Sequence, residues 1–215
     1  MPLRILVADD HAVVRRGVRA LLESRTNWQV CGEAATGREA VEQVKRLDPD
    51  IVLLDLSMPE LNGLDATRRI LRDSPRTQVL VLTMHHSEEL AHQVMQAGAK
   101  GYVLKSDADR ELIAAVESLQ QRRAFLTPNL ARPSPRDTEI GHQEHAAGDW
   151  SELTPREREI VQLVAEGHSS KEAAAALNIS VKTVESHRTN IMRKLQIRSV
   201  GQLVRYAVRN GIVQA

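Results

Sequence analysis

Three aspartates stand directly after apolar runs and could together bind a cation. Asp9 and Asp10 follow the run at residues 5–8, and Asp55 follows the run at residues 51–54. Because the carboxyl ends of parallel strands meet at one edge of an open α/β sheet, we expect these side chains to converge there. Hard carboxylate oxygens, without cysteine or clustered histidine, favour Mg²⁺ over softer metals.

Two further side chains at predicted strand ends could act on a phosphoryl group. Thr83 ends one apolar run and offers a hydroxyl donor, and Lys105 follows another and offers a fixed positive charge. Together with a carboxylate nucleophile and a metal ion, they supply what the transfer of phosphate to a carboxylate requires.

The pattern that must position these groups is an alternation of strands and helices. Strand-like runs occupy residues 4–8, 28–34, 51–54, 79–83 and 101–104. The segments between them repeat apolar residues at spacings of three and four, which is typical of amphipathic helices. The alternation predicts an α/β fold with a doubly wound, five-stranded parallel sheet over residues 1–123.

Residues 124–150 show neither the alternation of a strand nor the three- and four-residue spacing of a helix. They contain three prolines and a polar run, which predicts a linker. Residues 151–215 then predict a small all-α domain. Thr154, Pro155 and Glu157 form the signature of a helix start, and Gly167 is expected to end that helix. A short helix at 170–177, a tight turn and a helix from about 181 to 195 predict a helix-turn-helix, with a fourth helix at 202–209.

Charge distinguishes the two predicted domains. The formal net charge of the chain is +1, but residues 151–215 carry 10 Lys and Arg against 6 Asp and Glu. A basic C-terminal domain predicts a polyanionic partner such as double-stranded DNA. The sequence contains neither a membrane-span pattern nor a signal-peptide pattern, so we expect a cytoplasmic protein with no membrane partner.

The N-terminal segment, with its reactive side chains at the predicted strand ends, resembles the receiver domain of two-component response regulators over about residues 3–121. The resemblance implies a flavodoxin-like fold and phosphorylation by a sensor histidine kinase. The matching positions are Asp9, Asp10, Asp55, Pro59, Gly63, Thr83, Ala97, Gly98, Ala99, Gly101, Tyr102 and Lys105.

The receiver resemblance implies a role for each group in the acidic cluster. Asp55 is the expected phosphoacceptor and, with Asp10, a direct Mg²⁺ ligand. Asp9 is expected to act through water, and the Ser57 backbone carbonyl to be a further ligand.

The same resemblance implies that Thr83 and Lys105 contact the phosphoryl group. Thr83 and Tyr102 are the expected switch pair, with ordinary packing as the alternative for Tyr102. Ser57 and His85 are expected to affect how water reaches the acyl phosphate.

The C-terminal segment, residues 153–213, resembles the DNA-binding domain of LuxR/NarL-type regulators. The resemblance is carried by the runs at 153–157, 171–174 and 180–187. It implies that the fourth helix pairs two copies, so that a homodimer forms when the protein is phosphorylated or bound to DNA and reads two half-sites. Core packing remains open as an alternative for that helix. The residues in question are Leu203, Val204, Ala207 and Val208.

Helical geometry divides the predicted recognition helix into a core face and a DNA face. Val184, Ile191 and Leu195 recur on one side, which we expect to face the core. Lys182 and Arg193 fall on the other side and, with Lys194, are the expected phosphate contacts. The expected base contacts are Glu185, Ser186 and Thr189. Arg188 could serve either role, and Thr183 completes the predicted DNA-binding set.

Three positions depart from the families that the chain resembles. Ser106 stands where many receivers have proline, which leaves a cis bond after Lys105 in doubt. Ala173 replaces a larger aliphatic residue, so the short helix is expected to pack less tightly. Gln196 stands where glycine often ends the recognition helix, which predicts a strained or different C-cap.

The leading hypothesis is therefore a transcription factor controlled by phosphorylation, and not an enzyme. The first alternative is an Mg²⁺-dependent phosphohydrolase, which requires a second carboxylate two residues after the nucleophile, where Ser57 stands, and a cap domain. The second is a constitutive DNA-binding protein whose N-terminal domain serves only for protein contacts.

Overall fold

The computed structural model describes residues 2–84, 86–127, 153–210 and 212–213. The chain forms two compact units, an N-terminal α/β unit and a C-terminal helical unit. Within the described part of the chain, none of the helices combines the length and the apolar character needed to cross a lipid bilayer.

The N-terminal unit is a parallel sheet with helical connections. Its strands are β1 (Leu3–Ala8), β2 (Trp28–Ala34), β3 (Ile51–Leu54), β4 (Gln78–Thr83), β5 (Gly101–Leu104) and β6 (Phe125–Leu126). Its helices are α1 (Ala12–Glu23), α2 (Gly37–Leu47), α3 (Gly63–Asp73), α4 (Glu88–Gln96) and α5 (Ala108–Gln120). The strand order is β2-β1-β3-β4-β5-β6, which confirms the doubly wound α/β fold.

The sheet is held by apolar side chains buried on both of its faces. All four residues of β3 are buried, as the uninterrupted apolar run predicts. Alternate strand residues such as Ile5, Leu53 and Leu80 form one core cluster with the apolar stripes of α1 and α5. Since side chains alternate along a strand, their buried neighbours point to the opposite face.

The prediction of five strands was one short, because β6 completes a six-stranded sheet. Phe125 pairs with Gly101 and Leu126 with Tyr102, inside the segment predicted as a linker. Two residues are too few to show alternation, so this strand has no periodic signal in the sequence. Residues 128–150 of the predicted linker lie outside the described residues.

The C-terminal unit contains the predicted helices, α6 (Pro155–Ala165), α7 (Ser170–Leu177), α8 (Val181–Lys194) and α9 (Val200–Arg209). The capping box of Thr154 and Glu157 is confirmed at the start of α6. Gly167 follows that helix with φ of 91°, as expected for a glycine terminator. The core of this unit is assembled from all four helices and includes Leu163, Leu177, Ile191 and Leu203.

The end of α8 confirms the predicted departure at Gln196. This residue adopts a left-handed φ of 53°, and Ile197 N–H donates to Met192 O at 2.9 Å, which is the longer bond of a Schellman ending. A side chain with a Cβ atom is disfavoured in that conformation. Ala173 is fully buried, whereas its predicted looser packing stays a prediction.

We expect Gln196→Gly to stabilise α8 by about 1 kcal/mol, since glycine adopts a positive φ without steric cost. Amide hydrogen exchange of α8 peptides in the full chain should slow by about fivefold, the factor equivalent to that free energy. Gln196→Ala is the control, because it removes the side chain but keeps the strained Cβ. Equal exchange in the glycine variant and the wild type would contradict the prediction.

Candidate functional site

The predicted convergence of carboxylates is confirmed at the carboxyl ends of β1 and β3. The sheet order reverses at β1, which places a crevice beside the ends of these two strands. The ligand atoms of Asp9, Asp10, His11 and Asp55 lie within 4.8 Å of one another. Asp9 and Asp55 are each only 2% exposed, so their charges have little solvent to stabilise them.

Lys105 joins the two buried carboxylates. Its Nζ lies 2.7 Å from Asp9 Oδ2 and 2.8 Å from Asp55 Oδ2. Burial by itself would lower the pKa of Lys105, but the charges and hydrogen bonds of Asp55 and Asp9 raise it, so the ammonium group is maintained. The predicted position of Lys105 next to Asp55 is therefore confirmed, although its contact with a phosphoryl group stays a prediction.

The environment of Asp55 holds its pKa above the ordinary value. Burial is the main cause, the Lys105 ammonium opposes it, and the neighbouring Asp9 carboxylate adds to it. A backbone hydrogen bond from Ser57 favours the ionised form. A carboxylate that is desolvated and held near a cation is placed to act as a nucleophile.

The predicted switch residues both lie inside the sheet. Thr83 is completely buried at the end of β4, and Tyr102 is completely buried in β5. Burial raises the pKa of the Tyr102 phenol, which therefore stays neutral. The Lys105–Ser106 peptide bond is trans and begins a 3-10 turn, Lys105–Asp107. The switch role remains a prediction, and His85 lies outside the described residues.

Gly63 brings α3 against the chain that carries Asp55. Its N–H donates to Leu56 O at 2.8 Å. A Cβ atom at this position would lie 2.1 Å from Asp55 O and 2.7 Å from Leu56 Cα. These distances are far below van der Waals contact, so only glycine fits without moving the backbone behind Asp55.

In the C-terminal unit, α8 presents the predicted polar face. Val184 and Ile191 are buried in the core, and Leu195 packs against it, as expected. The exposed residues of the predicted DNA-binding set are Lys182, Thr183, Glu185, Ser186, Thr189 and Arg193. Exposure is what a face that contacts DNA requires, and the contacts themselves stay predictions.

The hydroxyl protons of two predicted base-contact residues are used within the helix. Ser186 Oγ donates to Lys182 O at 3.0 Å, and Thr189 Oγ1 donates to Glu185 O at 3.0 Å. With their protons so engaged, these hydroxyls face solvent as acceptors. They therefore suit the amino groups of cytosine or adenine better than a carbonyl edge.

Two family models match the sequence and cover most of it. Residues 5–117 match the response regulator receiver domain, and residues 151–207 match the bacterial regulatory proteins of the luxR family. The chain belongs to the LuxR family of response regulators. The oxygen regulatory protein NreC of Staphylococcus carnosus is 39% identical to this response regulator over 215 residues, which are 98% of this chain and 99% of NreC.

Solved structures of response regulators are similar to this chain. A LuxR-family regulator from Aurantimonas sp. SI85-9A1 is 36% identical, with a TM-score of 0.59, over 65% of this chain and 99% of that one. RcsB, in a complex of two dimers bound to two parallel DNAs, is 29% identical, with a TM-score of 0.59, over 97% of this chain and 99% of that one. The response regulator is thus a phosphorylation-regulated DNA-binding protein, and the matches favour this function over a phosphohydrolase.

His11 is a member of the response regulator's acidic cluster that sequence reasoning missed. Its Nδ1 lies 2.7 Å from Asp10 Oδ1, and its backbone N–H donates to Asp9 Oδ1 at 2.9 Å. The only signal in the sequence is its position directly after Asp10. The imidazole therefore lies in direct contact with the Asp10 carboxylate.

Lys194, a predicted phosphate contact, has an acidic partner within the C-terminal unit. Its Nζ lies 2.7 Å from Glu157 Oε2, where it closes an ion pair between α8 and the start of α6. The Glu157 carboxylate is 5% exposed and also accepts from the Thr154 N–H at 2.8 Å. Lys194 therefore stabilises the domain through this ion pair, which helical spacing alone could not predict, and its contact with a DNA phosphate stays a prediction.

Arg188 is held by the first helix of the helix-turn-helix. Its Nη1 donates to Ser170 Oγ, at the start of α7, over 2.8 Å. The guanidinium group is therefore directed toward α7, which in this motif crosses the DNA backbone. Of its two predicted roles, this position favours a phosphate contact over base readout.

The predicted pairing helix, α9, divides into two sets of residues. Leu203 and Ala207 are 2% and 0% exposed and belong to the core of the C-terminal unit. The prediction that these two residues contact a partner was wrong, because the interval of four between them places both side chains on the face of α9 that packs into the core of their own domain. Val204 and Val208 are partly exposed and remain the candidates for a pairing surface.

We expect Lys194→Met to destabilise the C-terminal unit by about 1–2 kcal/mol, since it leaves the Glu157 carboxylate buried without its ammonium partner. Burial would raise the pKa of Glu157, but Lys194 and Thr154 hold it below the ordinary value. A carboxyl group whose pKa is lower in the folded than in the unfolded protein stabilises the fold at pH values above the unfolded pKa. That stabilisation is lost as the pH falls through the pKa of the folded protein.

Calorimetric unfolding of the full chain should therefore show a wild-type advantage over Lys194→Met that shrinks below about pH 4. Lys182→Met is the matched control, because it removes the same charge from the exposed end of α8. It should leave the unfolding temperature unchanged. An equal effect of both substitutions at neutral pH would contradict the assignment of Lys194.

Proposed function

We propose that a sensor histidine kinase phosphorylates Asp55 and that this modification controls DNA binding by the C-terminal unit. The observation that carries the proposal is the position of Asp55 at the crevice of the sheet, 2.8 Å from Lys105 and next to Asp9 and Asp10. Phosphorylated Asp55 would alter the charge balance at that crevice, and the predicted response involves Thr83 and Tyr102.

The reaction forms one bond and breaks one bond. A lone pair of an Asp55 carboxylate oxygen attacks phosphorus, and the bond from phosphorus to the kinase histidine breaks with its electrons going to the imidazole nitrogen. The Lys105 ammonium is placed to stabilise charge on the transferred phosphoryl group. The Thr83 hydroxyl, at the end of the adjacent strand, is the proposed second donor.

The acidic cluster fits Mg²⁺ as the cofactor. Its donors are carboxylate oxygens within 4.8 Å of one another, and the single ammonium group of Lys105 does not neutralise all three aspartates. Asp10 and Asp55 would hold the ion directly, Asp9 through water, and the Ser57 carbonyl would complete the protein ligands. When bound, the ion would neutralise charge on the phosphoryl oxygens.

For DNA binding we propose that Lys182 and Arg193 contact phosphates together with Arg188, while Glu185, Ser186 and Thr189 read base edges. Thr183, whose Oγ1 lies 2.8 Å from Ser180 Oγ at the start of α8, would lie at the entry to the groove. The RcsB complex contains dimers on DNA, which supports a homodimer for this chain. Val204 and Val208, which are partly exposed on α9, would form its pairing surface. A cytoplasmic location is consistent with this function.

The experiment that tests the proposal is selection of bound fragments from a random DNA pool. It is run with Mg²⁺ alone and with Mg²⁺ plus a small acyl-phosphate donor. We expect paired half-sites to be enriched mainly in the arm with the donor. Equal enrichment in both arms would favour the constitutive DNA-binding protein, and enrichment in neither arm would overturn DNA binding.

A further inference from the structure

The loop that joins β1 to α1 carries Asp9 and Asp10 and is held by Arg15. Arg15 Nη1 donates to the backbone carbonyl of Asp9 at 2.6 Å, and its Nε lies 3.4 Å from Glu33 Oε2 on β2. The side chain of Arg15 is 17% exposed, so most of it is packed between α1 and the sheet. The contact ties the loop to the neighbouring strand.

The anchor at Glu33 is itself fixed by a second arginine. Arg19 Nη1 lies 3.0 Å from Glu33 Oε1, and Arg19 Nε lies 3.1 Å from Glu23 Oε1. Both oxygens of Glu33 therefore face arginines that lie one helical turn apart on α1. Glu33 therefore fixes the orientation of the Arg15 guanidinium group that donates to the Asp9 carbonyl.

We propose that Arg15, anchored by Glu33, is a positioning residue for the divalent cation of the acidic cluster. Fixing the carbonyl of Asp9 fixes the peptide that links Asp9 to Asp10, and hence the direction in which the Asp10 carboxylate leaves the backbone. The inference rests on the proposed Mg²⁺ site but extends it to two residues that are not ligands.

Removal of Arg15 would have two opposite effects on Mg²⁺ affinity, one through its charge and one through its hydrogen bond to the Asp9 carbonyl. Arg15 is a positive group near the cluster, so its removal by itself would strengthen the binding of Mg²⁺. Loss of the support behind a metal ligand weakens affinity, typically by about 10-fold to 100-fold. The sign of the change therefore distinguishes positioning from simple electrostatics.

The test measures Mg²⁺ affinity of the full chain by titration calorimetry, without a phosphodonor. Arg15→Met and Glu33→Gln should weaken binding about tenfold, and Arg15→Lys should recover part of the loss by donating to the Asp9 carbonyl. Arg16→Met is the matched control, since Arg16 is exposed and its Nε donates to Ala12 O at 3.3 Å, away from Asp9. Circular dichroism confirms that each variant is folded.

The control should leave Mg²⁺ affinity unchanged or slightly stronger. Suppose that the wild-type chain binds Mg²⁺ and that Arg15→Met binds it as tightly as Arg16→Met, or more tightly. That result would overturn the positioning role of Arg15 but leave the proposed Mg²⁺ site intact. If Arg15→Met fails to fold, Arg15→Lys, which keeps the positive charge, decides the question: Mg²⁺ binding weaker than that of the wild type supports positioning, and binding equal to the wild type overturns it. Absence of Mg²⁺ binding by the wild-type chain would overturn the proposed cofactor and this inference with it.

Discussion

Replacing Asp55 with asparagine should lower phosphate incorporation from a small acyl-phosphate donor by at least about 100-fold, because the amide has no nucleophilic oxygen anion. The side chains have nearly the same shape, so the loss would reflect chemistry and not packing. Incorporation of radiolabelled phosphate, followed by hydroxylamine release of the acyl phosphate, measures the effect. The acyl-phosphate donor should also no longer increase the affinity of this variant for the selected DNA sites.

Asp109→Asn is the matched control for that measurement. The Asp109 carboxylate is 78% exposed on α5, so the same chemical change occurs away from the crevice. It should retain wild-type phosphorylation. Wild-type incorporation by the Asp55 variant would show that another residue accepts the phosphate and would overturn the proposed function.

The Asp55→Asn substitution should also change the stability of the protein when divalent cations are chelated. Since the pKa of Asp55 is raised, the folded protein binds more protons than the unfolded chain between the ordinary and the raised value, and stability falls as pH rises across that window. Asparagine removes this cost. The unfolding temperature of Asp55→Asn should therefore equal the wild-type value at about pH 3 and exceed it at pH 7.

The second large effect is expected from Gly63→Ala. One added methyl group would lie 2.1 Å from the carbonyl oxygen of Asp55, a backbone atom that cannot rotate away. Overpacking of this kind costs about 1–3 kcal/mol, and a contact with backbone favours the upper end. Because the chain must move at Asp55, phosphorylation should also slow by about tenfold. Denaturant unfolding and the rate of phosphate incorporation measure the two effects.

Gly17→Ala is the control for the methyl group itself. Gly17 lies in α1, where a Cβ atom would meet nothing within 4 Å. Alanine favours the helix over glycine by about 0.5–1 kcal/mol, so this variant should be slightly more stable than the wild type. Similar stability of the two alanine variants would show that the backbone behind Asp55 yields without cost.

Much of this response regulator could be predicted from its sequence, because the main signals are local and periodic. The buried run that forms β3 and the stripe of Val184 and Ile191 on α8 each depend on residues that are neighbours in the chain. The capping box of Thr154 and Glu157 depends on a spacing of three. The convergence of Asp9 and Asp55 followed from one general rule, that parallel strands end at the same edge.

Only the tertiary structure decided which long side chain meets which distant group. Lys194 and Lys182 look alike in the sequence, yet one is paired with Glu157 and the other is exposed. Arg15 and Arg16 are adjacent, yet only the first reaches the Asp9 carbonyl. Periodicity determines the face from which a side chain leaves its helix. Its partner depends on how separate elements pack, and that packing is a property of the whole fold.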